Sequence, residues 1–357
     1  MASILDTGLL TINSDEAREL SQTIQQDVYS APEIASVFGI QTGVDMDTYI
    51  PIFGQFGLIG KVDPGTCGVN AETGTLPVTQ KQWTPKLISG RLSHCGLAVT
   101  QNFKNWRDRM KIAADIPAND LILNYVKDIA QDAVKQSILR VADFAATTHS
   151  PVGDGAGDQL LTVGTTKTYF NMLNGRWSQI FTDQAGSALS YRATITENAG
   201  GDYATQLALA STTALDVFRK LYENIDPRAF NGQNLVFQVT RSLFNNWQSL
   251  MEDKSLIFTL DRTENGSTQF TYRGIPIVVR NDWDRFIRTY FDNGTTYDLP
   301  HRAILTDINN TPIGTSDTES LTTLRSFYDM TLQTHYIDMA YKIDQKNLLE
   351  YNMAVAY

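Results

Sequence analysis

Apolar residues at Ala17, Leu20, Ile24 and Val28 recur at three- and four-residue steps, which places them on one face of a helix over Ser14–Ser30. Ser14 stands where a cap is needed. Ala31-Pro32 stops the helix, because proline restricts both itself and the residue before it. A lone amphipathic helix cannot bury its own stripe, so this one needs the body of the protein or a neighbour. From residue 49 to about 95 the helical period disappears. The stretch is rich in Gly, Thr, Val and Pro, with turns at Asp63-Pro64-Gly65 and Ala71-Glu72-Thr73-Gly74 and irregular strands on either side. The pattern predicts a long two-stranded loop that leaves near Tyr49 and returns near Cys95. A ribbon of that length is marginal alone in water, so its few apolar residues point to stabilisation by a partner.

The strongest helical pattern follows. Ile122, Val126, Ile129, Ala133, Ser137, Val141 and Ala145 predict a helix over 117–146, opened by Pro117 and an Asn119 cap and ended before Ser150-Pro151. At 1.5 Å per residue it spans roughly 40 Å. Short strand-like runs reach Tyr203, and a helical block covers 204–224. Next come an apolar strand at Leu235–Val239 and a short helix carrying Leu243, Trp247 and Leu250. Residues 270–284 (FTYRGIPIVVRNDWD) and 301–314 (HRAILTDINNTPIG) each read as an apolar strand closed by a polar turn. Two β-rich runs, 331–344 and 347–357, end the chain. Helices and strands mix without strict alternation, so the fold class is α+β.

Composition narrows the function. The 357 residues suggest two or three domains, and 42 % hydrophobic against 19 % charged residues supplies a sizeable core. A net charge of −10 argues against a dedicated nucleic-acid binder and suits a protein that must stay soluble at high concentration, or one that should not stick to DNA beside it. Two cysteines are too few for a disulfide framework. In the extended loop Cys67 lies near the tip and Cys95 at the foot, too far apart to bond, so both are expected as buried free thiols. The start lacks a signal-peptide pattern and no stretch approaches eighteen consecutive apolar residues, so a soluble product without a membrane partner is expected.

Reactive constellations do not assemble. Residues 54–61 resemble a phosphate loop, but the glycine spacing is one too long and Val62 replaces the magnesium-binding hydroxyl. The GDGAGD at 153–158 lacks the rest of a calcium loop. His94 beside Cys95 has no partner at zinc-ligand spacing; the other histidines are His149, His301 and His335. No GxSxG elbow occurs, and the carboxylate pairs Asp45/Asp47 and Asp282/Asp284 adjoin turns. Tyr336, Tyr341 and Tyr351 sit in strand-like runs, where packing accounts for them. No catalytic, cofactor-binding or metal site is expected, and no enzyme.

Residues 270–284 resemble the late part of tailed-bacteriophage major capsid proteins, through Tyr272, Gly274, Ile275, Pro276 and Ile277 closed by Asn281 and Asp282. The preceding LDVFRKLYENIDPRAF and NLVFQVTRSLFNNW and the downstream HRAILTDINNTPIG extend the resemblance. It implies the capsid fold shared by tailed phages, herpesviruses and encapsulins. Its parts map here as an N-terminal arm at 1–48, an extended β-loop at 49–96 and a peripheral domain at 97–203 with its spine helix at 117–146. An axial domain at 204–325 and a return to the peripheral domain at 326–357 complete the map. The resemblance further implies self-assembly into hexamers and pentamers of an icosahedral shell around double-stranded DNA, without sequence-specific binding. Synthesis in the bacterial host cytoplasm and residence in the virion capsid go with it. No charged coiled-coil segment precedes Ser14, which implies a separate scaffolding protein; a portal and decoration proteins are further implied partners. Lys61, Lys81 and Lys86 match no cross-linking role, so no cross-link is expected. Two alternatives stand beside this reading: an encapsulin-like compartment shell, and a β-rich carbohydrate-active or tail-associated protein.

Overall fold

One long helix shares a core with both of the molecule's main sheets, and the chain crosses between those sheets more than once. The computed structural model describes residues 11–53, 78–110, 118–151, 160–186, 189, 191–231, 234–254, 261–262, 268–316, 321 and 323–357. The chain runs through α1 (Ser14–Ser30), α2 (Pro32–Ala35), β1 (Ile40–Gln41), the antiparallel pair β2 (Thr48–Phe53) and β3 (Val78–Trp83), and β4 (Lys86–Cys95). Helix α3 (Gly96–Met110) and the long α4 (Ala118–Phe144) follow. Then come β5 (Ser150–Pro151), β6 (Leu160–Leu161), α5 (Arg176–Ala185) and β7 (Tyr191–Ala193). Next are α6 (Tyr203–Leu207), α7 (Thr213–Asn224), β8 (Leu235–Val239), α8 (Arg241–Asp253), and the small pair β9 (Asp261–Arg262) and β10 (Thr268–Gln269). A hairpin of β11 (Thr271–Tyr272) and β12 (Ile275–Val279) leads to α9 (Asn281–Tyr290). The end of the chain is β13 (Ala303–Asp307), β14 (Ile313–Thr315), β15 (Thr323–Asp329), β16 (Thr334–Gln345) and β17 (Met353–Ala356).

The six-stranded sheet has the order β11-β12-β8-β13-β17-β7, and β8, β13 and β17 are buried at every position. A strand covered on both faces carries apolar residues on both, and the alternation sorts them. Phe237, Val239, Leu305 and Ala354 face a core built with Phe218, Leu221, Leu243 and Trp247 of α7 and α8. Ile304, Met353 and Val355 face the larger core around α4, with Trp177 of α5 and Trp283 and Phe286 of α9.

The five-stranded sheet runs β1-β14-β16-β15, with β4 along the other side of β16. Here one face is covered. His335, Ile337, Met339, Tyr341 and Ile343 of β16 point into the core, while Tyr336, Asp338 and Lys342 between them are half-buried. Helix α1 closes part of this core from the same chain, since Leu20, Ile24 and Val28 pack towards α4 and β15. The body covers the stripe.

Several sequence expectations change. The cap of α1 is Asn13, not Ser14: its side chain accepts from the amides of Asp15 (3.1 Å) and Glu16 (2.9 Å), and Glu16 accepts from the Asn13 amide. The helix expected over 117–146 runs Ala118–Phe144, while the side chain of its expected cap, Asn119, lies outside the described residues. Block 204–224 is two helices, α6 and α7, split by 208–212. Asn281 and Asp282 do not close a turn. They begin α9, whose first-turn carboxylates Asp282 and Asp284 favour the positive end of the helix dipole. Helix α3 was not anticipated, because only Phe103 and Trp106 of its described side chains are fully buried.

The β-loop also returns earlier than expected. Its strand pair closes at Thr48 opposite Trp83, and residues 86–95 instead run beside β16, from Lys86 opposite Ile343 to Cys95 opposite Thr334. Cys95 is therefore not at the loop's foot, and its thiol is exposed rather than buried. Cys67, the turns at 63–65 and 71–74, residues 54–61 and residues 153–158 lie outside the described residues. The boundary at 325/326 falls within β15. Within 204–325, β14 pairs in the five-stranded sheet; within 326–357, β17 pairs in the six-stranded one.

Candidate functional site

The hairpin β2–β3 is exposed along most of its length, including Tyr49 and Val78, yet its root is tied down. Trp83 is 1 % exposed, with its ring against Gly314: a Cβ at Gly314 would lie 2.9 Å from the indole, so only glycine admits the ring there. The Thr84 amide donates to the buried Asp344 carboxylate at 2.7 Å, and Lys346 pairs with Asp344 at 3.3 Å. Lys81 donates to the main-chain oxygen of Asn347 and pairs with Glu350. On the entering side, Lys342 donates to the Asp45 carbonyl at 3.2 Å, and the Val44 amide to the Thr315 carbonyl at 3.0 Å.

Strand β4 lies next to this root. Among the described residues it pairs with β16 alone, and most of its ten positions are exposed. An edge of this length presents a row of unpaired main-chain donors and acceptors. On the outer face Arg91 makes a bidentate pair with Asp338 (2.5 and 2.8 Å) and lies over the rings of Phe327 and Tyr336. Beyond the end of β15 the turn into β16 presents Met330, 75 % exposed, and Leu332, 63 % exposed.

A third feature is buried where α4 meets α5, the start of α9 and the six-stranded sheet. Asp143, near the C-terminal end of α4, pairs with Arg176 of α5 and with Arg280, and accepts from the Trp283 indole at 2.9 Å. Arg280 also binds Asp282 and donates to Gln238 of β8 at 3.2 Å, and Gln238 donates to the Val37 carbonyl. One carboxylate thus ties the long helix to α5, to the segment between β12 and α9, and through Gln238 to the central sheet. Burial pushes the Arg176 guanidinium down to about 10, with Asp143 opposing. For Arg280 burial acts the same way, but Asp143 and Asp282 outweigh it and hold its pKa above the ordinary value. Arg302, buried among the rings of Phe144, Trp177 and Phe181, pairs with Asp298 at 3.1 Å.

Other residues considered from the sequence do not converge. His94 stacks on His335 at 6.3 Å, while Cys95 is exposed. Ser326 meets His335 at 2.8 Å, both buried. His149 contacts the Phe144 carbonyl at 2.6 Å, and His301 sits between Ser242 and the Gln206 carbonyl. Tyr341 is buried in the core and Tyr351 lies beneath Arg228. No group of three or more His, Cys, Asp and Glu able to hold a metal occurs among the described residues. No helix among them is long and apolar enough to cross a membrane. The Asp143 cluster left no trace in the sequence pattern, since Asp143 and Arg280 are 137 positions apart.

No family model matches the chain, and no curated protein matches it. Solved structures do. A chain of the satellite phage P4 procapsid including size determination (Sid) protein superposes with a TM-score of 0.50 at 12 % identity, covering 94 % of this chain and 98 % of that one. A Gordonia phage Cozz chain gives 0.48 at 13 % identity, covering 91 % and 85 %. The holo-SrpI encapsulin complex from Synechococcus elongatus gives 0.44 at 8 %, covering 91 % and 87 %. The chain has the α+β fold of phage major capsid proteins, as its sequence resemblance implied.

Proposed function

We propose that this chain is the major capsid protein of a tailed bacteriophage, a non-enzymatic subunit whose copies form the hexamers and pentamers of an icosahedral shell around double-stranded DNA. The observation that carries this reading is the whole-chain likeness in fold to the P4 procapsid chain, 94 % of one on 98 % of the other. The five-stranded sheet with α4 takes the role of the peripheral domain and the six-stranded sheet with α7 and α8 that of the axial domain. The exposed hairpin and the open edge of β4 are then the surfaces that neighbours cover, at about 25 cal/mol per Å² of apolar area buried. Many modest contacts in closed symmetry make a strong shell without any single tight interface. The net charge of −10 keeps packaged DNA from adhering along the wall. A separate scaffolding protein, a portal and decoration proteins complete the proposed partners, and the virion is the proposed location.

Negative-stain microscopy of the full chain, expressed alone and with a scaffolding protein, tests the proposal. Closed shells of regular diameter are the expected result. A chain that stays monomeric under both conditions contradicts it.

A further inference from the structure

A cavity of about 440 Å³, within the range of small-molecule sites, opens where α4 and α5 end. Ser178, Phe181 and Ala185, one stripe of α5 at helical spacing, line one side of it. Ala146, two residues past the end of α4, and Leu299 extend the apolar lining, and Thr148 and Asp298 add polar groups. Among the described residues that line the cavity, Asp298 alone is charged. One of its oxygens takes a bond from Arg302 at 3.1 Å, from a nitrogen shared with the Asp298 carbonyl at 3.0 Å. The other oxygen has no donor among the described residues. Both helices bring their C-terminal ends, the negative ends of their dipoles, to the cavity, and neither has a basic residue in its last turn. Asp143, in the last turn of α4, is already matched by Arg176 and Arg280. The cavity therefore carries negative potential and no cation of its own.

The wall that holds Asp298 is fixed in advance. Leu299 keeps φ at 45°, a strained value for leucine that persists only where the surroundings determine it. Arg302 donates to the Leu299 carbonyl at 2.8 Å, the Asp298 amide to the Phe291 carbonyl at 2.9 Å, and the Tyr297 amide to Gln206 at 2.8 Å. The hydroxyls of Thr148 and Ser178 have no partner among the described residues, so both can accept. A metal ion fits poorly, because one carboxylate and two hydroxyls leave it short of ligands beside an apolar wall.

We propose that this cavity binds a small organic cation, a primary ammonium carried on a short apolar body. The ammonium donates to the free Asp298 oxygen and to the Thr148 and Ser178 hydroxyls, while the body lies against Phe181, Ala185 and Leu299. The site belongs to the single subunit and does not depend on shell assembly.

The probe is phenethylamine, with phenethyl alcohol as its neutral counterpart, titrated into the full-length chain at low ionic strength and followed by saturation-transfer NMR. The amine should bind saturably and about tenfold tighter than the alcohol, the difference between a charge-assisted and a neutral hydrogen bond. Asp298→Asn should bring the amine down to the affinity of the alcohol. Ala185→Phe, at an exposed position of α5, fills the cavity and should abolish binding of both probes, which tests the site even if Asp298→Asn does not fold. Equal affinity of amine and alcohol for the unaltered chain overturns the proposal. So does the absence of saturable amine binding, or amine binding that Ala185→Phe leaves unchanged.

Discussion

The two main sheets of this protein handle their edges in opposite ways. The six-stranded sheet ends in β11 and β7, two and three residues long, and its middle strands are buried on both faces. The five-stranded sheet ends in the ten-residue β4, mostly exposed, and keeps its outer face in solvent contact. Soluble proteins shorten or cover edges to avoid unwanted pairing. Among the described residues β4 keeps one side unpaired beside an exposed strand pair, which is tolerable when a neighbour covers it. On the capsid reading proposed above, the difference separates a part that is complete in one subunit from a part that neighbouring copies finish.

If the junction at Asp143 is what makes the inner part rigid, breaking it should produce the largest loss. Asp143→Ala leaves Arg176 and Arg280 buried with too little compensating charge and should cost about 3 to 5 kcal/mol in chemical denaturation. A loss below about 1 kcal/mol would show that the cluster is not structural.

The inner face of the open sheet is tested by acid. Burial, with His94 beside it, pushes the His335 imidazole down to about 4 from 6.5. The fold therefore holds it neutral while the unfolded chain protonates it. Its contribution is complete above about pH 6.5 and is lost as the pH falls towards 4. Denaturation at pH 4.5 against pH 7.5 should show a loss of about 2 to 3 kcal/mol from this group, and His335→Gln should reduce that difference correspondingly.

A smaller effect is expected at the rim of the closed sheet. Arg273 and Gly274 form the two-residue turn between β11 and β12, both at positive φ (52° and 82°). A β-branched side chain at Gly274 is strained there, so Gly274→Val should cost about 1 to 3 kcal/mol, measured as a shifted denaturant midpoint. Pro276 costs the sheet little, because the pairing with β8 begins at Ile277. Smallest of all, Arg91→Ala removes an exposed ion pair on the outer face and should leave the denaturant midpoint nearly unchanged.

Local pattern made part of this architecture legible before the structure. Helix α4, strand β8 with α8, and strands β12 and β13 each carry their period within a short window, and the order of parts carried the resemblance. What could not be read depends on distant partners. KLISGRLSHC at 86–95 reads equally well as the return of a hairpin or as a strand of the body, and only its register with β16 decides. Strands β14 and β17 are short and buried at every position, so nothing local tells which sheet each one joins. The charged junction draws on residues 33 and 137 positions from Asp143. The hairpin root is likewise assembled from β3 and the C-terminal segment, 260 and 266 positions apart.

On the capsid reading proposed above, the outer part is finished only by neighbouring copies. That reading is tested most directly by replacing residues 54–77 with a short Gly-Ser turn, which leaves Lys81, Trp83 and Thr84 in place, and weighing the product by mass photometry beside the full chain under assembly conditions. The expected products are closed shells from the full chain, and from the variant a folded subunit with an unchanged denaturant midpoint that does not close. Shells of normal mass from the variant would contradict it.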